Sequence, residues 1–337
     1  MRSNLPLTAV LMTCLASGLG LLSGAAAQQG PSLLTPAGTV RLPLVKGRID
    51  HLAYDPDRRR LFVAALGNNS VEVIDATTNT HLRSLTGFRE PQGVAFVSDL
   101  AAVAVANGAT GTLQLVDAQS LATRWTIAIG GDADNVRYDT AARRLYVAAE
   151  GGLYAVDAPV GKMAGRIAFD GHPESFQLES RAGRVFANLP GAMRSDVVVG
   201  DRSSMNVRSR WTAGCGSNYP MALDERTGRV FIGCRRPASL NMVDTRSGAT
   251  VTSLPVVGDT DDTFYDAAHR RVYVIGGEGF IDVIARDGDR LTRRERVETR
   301  AGTRTGLWVS GLNRLFVAVP ARGSEPAEIR VFEARAA

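Results

Sequence analysis

Carboxylates and histidines recur at a fixed offset in this sequence. Asp50, Asp134, Glu174 and Asp261 each stand eleven residues before an aliphatic residue, and the same offset selects Gln92, Tyr219 and Arg304. The next position along contributes His51, Asn135 and Asp262, with Gly93, Ser175, Pro220 and Thr305 in the other copies. Glu90, Asp132, His172 and Asp259 lie just upstream. Carboxylates converging from separate chain segments suit a hard divalent cation such as Ca²⁺ or Mg²⁺, and a histidine among them shifts the preference towards Zn²⁺ or another transition metal. Asp50, His51, Asp134, Glu174 and Asp261 are therefore candidate metal ligands. With Gln92, Asn135, His172, Tyr219, Asp262 and Arg304 they form a candidate site for a cation or a polar small ligand. The same residue types also have a plain structural use, because Asp and Asn at strand starts bond nearby loop amides.

A histidine and a carboxylate beside a metal could serve lyase or lactonase chemistry. The sequence contains no G-x-S-x-G nucleophile motif and no phosphate loop, so serine-hydrolase and nucleotide-dependent readings have no support. Of the remaining histidines, His81 falls on an expected outer strand and His269 on a turn at the opposite face.

The offset has meaning because the aliphatic residues themselves recur. Leu61, Val103, Leu145, Val185, Val230, Val272 and Leu315 are separated by 42, 42, 40, 45, 42 and 43 residues. Around each marker the chain repeats an alternating strand, an acidic or polar turn, an arginine in most copies, a second strand, and a third ending near Asp. Period-two alternation of β-branched and aromatic residues between Gly, Asp and Asn turns is the pattern of strands. Seven such units of four strands predict an all-β fold, a seven-bladed β-propeller. After Ile329–Phe332 the last unit is one strand short, and Thr39–Val45 is available to complete it, closing the ring without an unpaired edge. In a propeller the innermost strand of each blade starts at the channel mouth, so the offset positions should ring that mouth. Leu52, Val94, Val136, Phe176 and Met221 should form an apolar wall beneath it.

The segments RLYVAAEGG, RVYVIGGEG, RLFVAALGNNSVEVID and RLFVAVP resemble the YVTN-repeat, YncE-like β-propeller family across all seven units. The Tyr-Val-Thr-Asn form is degenerate here, with Thr and Asn mostly replaced by Ala or Gly. The resemblance implies an exported bacterial seven-bladed propeller; some relatives are associated with DNA binding.

The chain has 337 residues, 45% of them apolar, with Lys+Arg 39 against Asp+Glu 34 and a formal net charge of +5. This excludes a disordered chain and a disulfide-stapled miniprotein. Met1-Arg2, the mostly apolar Leu5–Leu22 and the small residues Ala25-Ala26-Ala27 read as a secretory signal peptide over residues 1–27, leaving residues 28–337 as one propeller domain. A periplasmic or secreted location follows from that reading. Cys215 and Cys234, the two cysteines beyond the leader, are expected to form a disulfide, since neither has a nearby histidine or zinc spacing. The strand arithmetic puts Cys234 opposite about Tyr219.

Basic outer strands offer a separate candidate surface for single-stranded DNA: Arg208, Arg210 and Trp211 in the fourth unit, and Arg294 and Arg296 in the sixth. Arginine supplies phosphate contacts and tryptophan a stacking face. Glu295 and Glu298 interrupt the second run, and arginines on exposed strands also guard against edge pairing. The reading is an exported propeller acting as a ligand-binding or protein-interaction module through an acidic funnel. A metal-assisted enzyme is the alternative and DNA binding the third.

Overall fold

In each of seven blades four antiparallel strands pair in chain order, and the seventh borrows its outermost strand from the start of the chain. The structure is a computed structural model that describes Met1 and residues 32–336. Apart from Met1, the expected signal peptide lies outside the described residues. The innermost strands are Leu52–Asp55, Pro91–Val97, Val136–Asp139, Phe176–Leu178, Gly216–Asp224, Thr260–Asp266 and Thr305–Val309 in blades one to seven. Among the described residues no helix is long and apolar enough to cross a membrane.

The period-two pattern builds the core directly. All seven aliphatic markers are 0–1% exposed, and the buried apolar residues group into clusters that sit between successive blades. The cluster at the seam of blades seven and one joins Val40, Leu61, Val63, Phe316 and Ile329. Fully burying an aliphatic side chain contributes about 1.5–3 kcal/mol, so these interfaces hold the ring together.

Polar side chains fix the turns and the blade-to-blade spacing. The Asp ending the third strand accepts the amides two and three residues on: Asp75 from Thr77 and Thr78, Asp117 from Gln119 and Ser120, Asp201 from Ser203 and Ser204, and Asp244 from Arg246 and Ser247. The amides next to Asp75 and the Arg124 guanidinium beside Asp117 hold these carboxyls below the usual range. In blades one, four and seven the arginine before the marker reaches into the next blade and donates to the carbonyl just after that turn Asp. Arg60 bonds Ala118 O at 3.0 Å, Arg184 bonds Thr245 O at 2.6 Å and Arg314 bonds Ala76 O at 3.2 Å. Blade two lacks the arginine, and Trp125 Nε1 supplies the equivalent bond to Ala158 O at 3.0 Å. The repeated arginine is thus an inter-blade staple.

The closing strand runs Leu34–Leu42, with Val40 opposite Ile329 and Leu42 opposite Ala327. The expected span of Thr39–Val45 is corrected at both ends. Ala327 is the first residue of the partner strand and Pro43 has no N–H to donate, so pairing stops at Leu42. At the other end Glu295 holds the chain: its carboxylate accepts from Leu33 N at 2.7 Å, Leu34 N at 3.3 Å and Ser32 Oγ at 2.5 Å.

Cys215 and Cys234 form a disulfide with a Cα–Cα distance of 6.2 Å, and both are buried. Closing a loop of this length stabilises by roughly 3 kcal/mol on the loop-entropy view. Cys234 stands opposite Asn218, not Tyr219, because the strand bulges between Asn218 and Met221, where Pro220 cannot pair. The bridge is in keeping with an oxidising, extracellular or periplasmic compartment.

Candidate functional site

The offset residues gather at one end of the channel, held by the backbone of their own blades. Asp50 N bonds Ala64 O at 2.7 Å, Asp134 N bonds Ala148 O at 2.8 Å and Glu174 N bonds Asn188 O at 3.0 Å. Each carboxylate is therefore placed by the first residues of an inner strand against the strand behind it. Leu52, Val94, Val136, Phe176 and Met221 are all buried just beyond.

On the side of blades three and four stand Asp134, His172 and Glu174. One ligand atom from each lies within 4.8 Å of the others. His172 Nε2 donates to the Asp132 carbonyl at 2.9 Å, which leaves Nδ1 with its lone pair towards Glu174 Oε1, 3.9 Å away. A backbone bond to one ring nitrogen sets the tautomer and frees the other as a ligand. Gln92 Nε2 donates to Asp132 Oδ1 at 2.7 Å and steadies the same loop. Asp134 is 5% exposed, and its Oδ1 has no hydrogen-bond partner among the described residues. Burial, then the charges of Glu174 and Asp50, push the Asp134 carboxyl well above its ordinary value. Burial, with Asp261 and Asp50, pushes Glu174 up to about 7.

Between the two sides, Asp50 accepts an ion pair from Arg48 at 2.7 Å. His51 lies 3.5 Å from both Asp50 and Asp262 and 3.0 Å from the Asn135 amide. Burial pulls the imidazole down, but Asp262 and Asp50 carry it up to about 10, so these carboxylates favour its protonated form. Asp262 also accepts Gly306 N at 2.9 Å.

On the side of blades five to seven the carboxylates have partners. Arg235 Nη2 donates to Asp261 at 2.7 Å while its guanidinium lies over the Tyr219 ring at 3.8 Å. Arg304 pairs with Asp259 at 3.2 Å and approaches Asp261 at 3.9 Å. Burial pushes Asp261 up to about 6, with Arg235 restraining the rise.

Of the five candidate metal ligands, Asp134 and Glu174 come together, joined by His172. Asp50, His51 and Asp261 are each engaged by other side chains. Arg48 and Arg235 were not among the sequence candidates. Arg235 could have been noticed, since five residues past the marker only Glu150 and Arg235 are charged.

All of the outer-strand candidates but Arg294 have protein partners among the described residues. Arg208 pairs with Asp201, and Arg210 lies 3.9 Å from Asp196. Arg296 chelates the fully buried Asp282 at 2.7 and 2.8 Å. Trp211 packs its ring 5.5 Å from Phe186. Arg294 projects from the exposed outer strand of blade six.

No protein-family model matches the chain, and no curated protein sequence matches it. Solved structures do match in fold. A chain of the hydrazine synthase of Kuenenia stuttgartiensis superposes with a TM-score of 0.75 at 16% identity, covering 87% of this chain and 98% of that one. A chain of a mitotic checkpoint complex gives a TM-score of 0.75 at 12% identity over 97% and 99% of the two chains. At such identities the likeness establishes the β-propeller fold alone.

Proposed function

We propose that this chain is an exported propeller of the YVTN-repeat, YncE-like kind that binds a divalent transition-metal cation at the blade-three and blade-four side of its mouth. The cation would sit on the Asp134 and Glu174 carboxylates and His172 Nδ1, and the loaded mouth would take a polar ligand or a partner's loop. The observation that carries this reading is Asp134. A buried carboxylate oxygen with no hydrogen bond among the described residues, beside a second, half-buried carboxylate, is costly unless a proton or a cation neutralises it. One nitrogen and two carboxylates favour Zn²⁺-like ions over Ca²⁺, which prefers six to eight oxygens. The leader-like N-terminus and the disulfide support export.

A metal-assisted lyase or lactonase uses the same residues, and one observation favours it: Glu174, pushed up to about 7, is poised for proton transfer near neutrality. The outer arginines and Trp211 support a nucleic-acid role less, because packing and ion pairing already occupy all but Arg294.

Elemental analysis of protein isolated from its native compartment, followed by titration of chelator-treated protein with Zn²⁺, Mn²⁺ and Ca²⁺, tests the proposal. One equivalent of bound transition metal and tighter binding of Zn²⁺ than Ca²⁺ are expected. No binding of any of the three ions would overturn it.

A further inference from the structure

Below the mouth the channel opens into a second, chemically different space. A cavity of about 470 Å³ runs from His51 and Asp262 along the innermost strands to Ser310 at the far end. Tyr54, Phe96, Tyr138, Phe264 and Trp308 line it, and all five are partly exposed. Four of them, Tyr54, Phe96, Tyr138 and Trp308, stand seven residues before their markers, so the repeat itself builds the aromatic wall. The volume and the mostly apolar lining are those of small-molecule sites.

Arg137 is the exception in this wall. Its Nη1 donates to its neighbour Val136 O at 2.9 Å, and its guanidinium lies 5.5 Å from the Phe176 ring centre. Among the described residues that is its one hydrogen bond, and no carboxylate stands within ion-pair distance. Three of the other polar groups along the cavity are engaged: Gln177 Nε2 donates to Met221 O at 2.7 Å, Tyr138 Oη to Asp99, and His51 is held between Asp50 and Asp262. A guanidinium carries five donors in a fork that fits a carboxylate bidentately. Arg137 lies at the second residue of its strand, nearer the mouth, with Tyr138 and Trp308 further along.

We propose that this cavity binds a small monocarboxylate carried on an aromatic or compact apolar body. The ligand enters from the face opposite the metal site, carboxylate first, and Arg137 anchors it while the aromatic rings enclose its body. A free phosphate shares the charge but not the shape, since it lacks the apolar body that the aromatic rings would enclose. The site is independent of the metal reading, because none of the three metal candidates lines the cavity.

The test uses the full mature protein and phenylacetate, with the neutral phenylacetamide and inorganic phosphate as controls, followed by calorimetry and by Trp308 fluorescence. Saturable binding of one phenylacetate is expected, with phenylacetamide and phosphate at least tenfold weaker. Arg137→Gln should weaken phenylacetate about tenfold or more and leave phenylacetamide unchanged, while Arg137→Lys keeps most of the affinity. Ala95→Phe, which places a ring in the cavity and keeps the arginine, should block phenylacetate and guards against misfolding of the Arg137 variants. Absence of saturable binding, equal affinity of wild type and Arg137→Gln for phenylacetate, or phosphate binding as tightly as phenylacetate would each overturn the proposal.

Discussion

The two sides of the mouth both carry carboxylates at the repeat's offset position, Asp134 and Glu174 on one and Asp261 on the other, and reach opposite electrostatic states. Around blades five to seven, Asp259 and Asp261 face Arg235 and Arg304, so charge is matched within the protein. Around blades three and four, Asp134 and Glu174 face each other and a histidine, with no arginine of the described residues inside ion-pair distance. The difference arises from where the cations come from. Arg235 arrives on the second strand of blade five and Arg304 on the chain entering blade seven, whereas blade three has Glu150 at the position of Arg235. One side is finished by its own side chains, and the other calls for a charge from outside.

The comparison breaks first, and most strongly, on metal binding. Asp134→Asn with Glu174→Gln should weaken Zn²⁺ by roughly a hundredfold or more, as two of three protein ligands lose their charge, and should raise the melting temperature of the metal-free protein by removing two adjacent like charges, one of them buried. Asp259→Asn with Asp261→Asn should leave Zn²⁺ affinity nearly unchanged. Calorimetric titration of both double variants decides it, and equal losses would abolish the distinction.

Arg235→Ala probes the matched side. It strips Asp261 of its nearest cation and uncovers Tyr219, at a cost of about 2 kcal/mol, below the value for a fully buried pair because both groups retain some exposure. Urea denaturation measures the loss, and NMR titration should find Asp261 above its present value of about 6.

Proton linkage separates the sides next. Below about 7 the Glu174 proton competes with the cation, so Zn²⁺ affinity should fall by about tenfold or more per pH unit on acidification and level off above. For the metal-free protein the sign runs the other way. Glu174 and Asp261 hold protons more tightly folded than unfolded, so raising the pH from the ordinary carboxylate range through about 6 to 7 removes stability. The contribution of His51 is complete below the usual imidazole range and is lost as pH rises through about 10. Melting temperatures from pH 4 to 10, with and without Zn²⁺, should show stabilisation by the metal growing between 5 and 8.

The smallest effect calibrates the rest. Arg314→Ala removes the staple to Ala76 O across the closing seam, far from either side of the mouth. A loss of about 1 kcal/mol is expected, with Zn²⁺ affinity untouched. A change in metal binding here would mean that the mouth responds to the ring as a whole, which would dissolve the comparison.

Much of this molecule is legible along the chain because a repeat is a local rule. The alternation around each marker specifies strands, and the turn aspartates specify their ends. The missing last strand, matched by an apolar run near residue 40, specifies closure. The offset that selected Asp134 and Glu174 is a consequence of the same rule, as is the aromatic position of Tyr54, Phe96, Tyr138 and Trp308. The bulge at Tyr219–Pro220 departs from that rule and moves Cys234 one residue in register.

Pairing of side chains across blades obeys no such local rule. Whether Asp261 is neutralised depends on Arg235, a residue 26 positions away, and whether Arg296 faces solvent or Asp282 depends on the twist of one blade. Glu295, which reads as a break in a basic run, turns out to anchor the first residues of the closing strand more than 260 positions away in sequence. The sequence by itself determined the seven blades, the closure and the disulfide, because strand periodicity and turn chemistry act over a few residues. Which carboxylates at the mouth remain unmatched, and that Arg137 has no carboxylate within ion-pair distance among the described residues, was decided only by the tertiary structure. Electrostatic partners are set by distances of a few ångströms in space, and sequence spacing alone does not specify those distances.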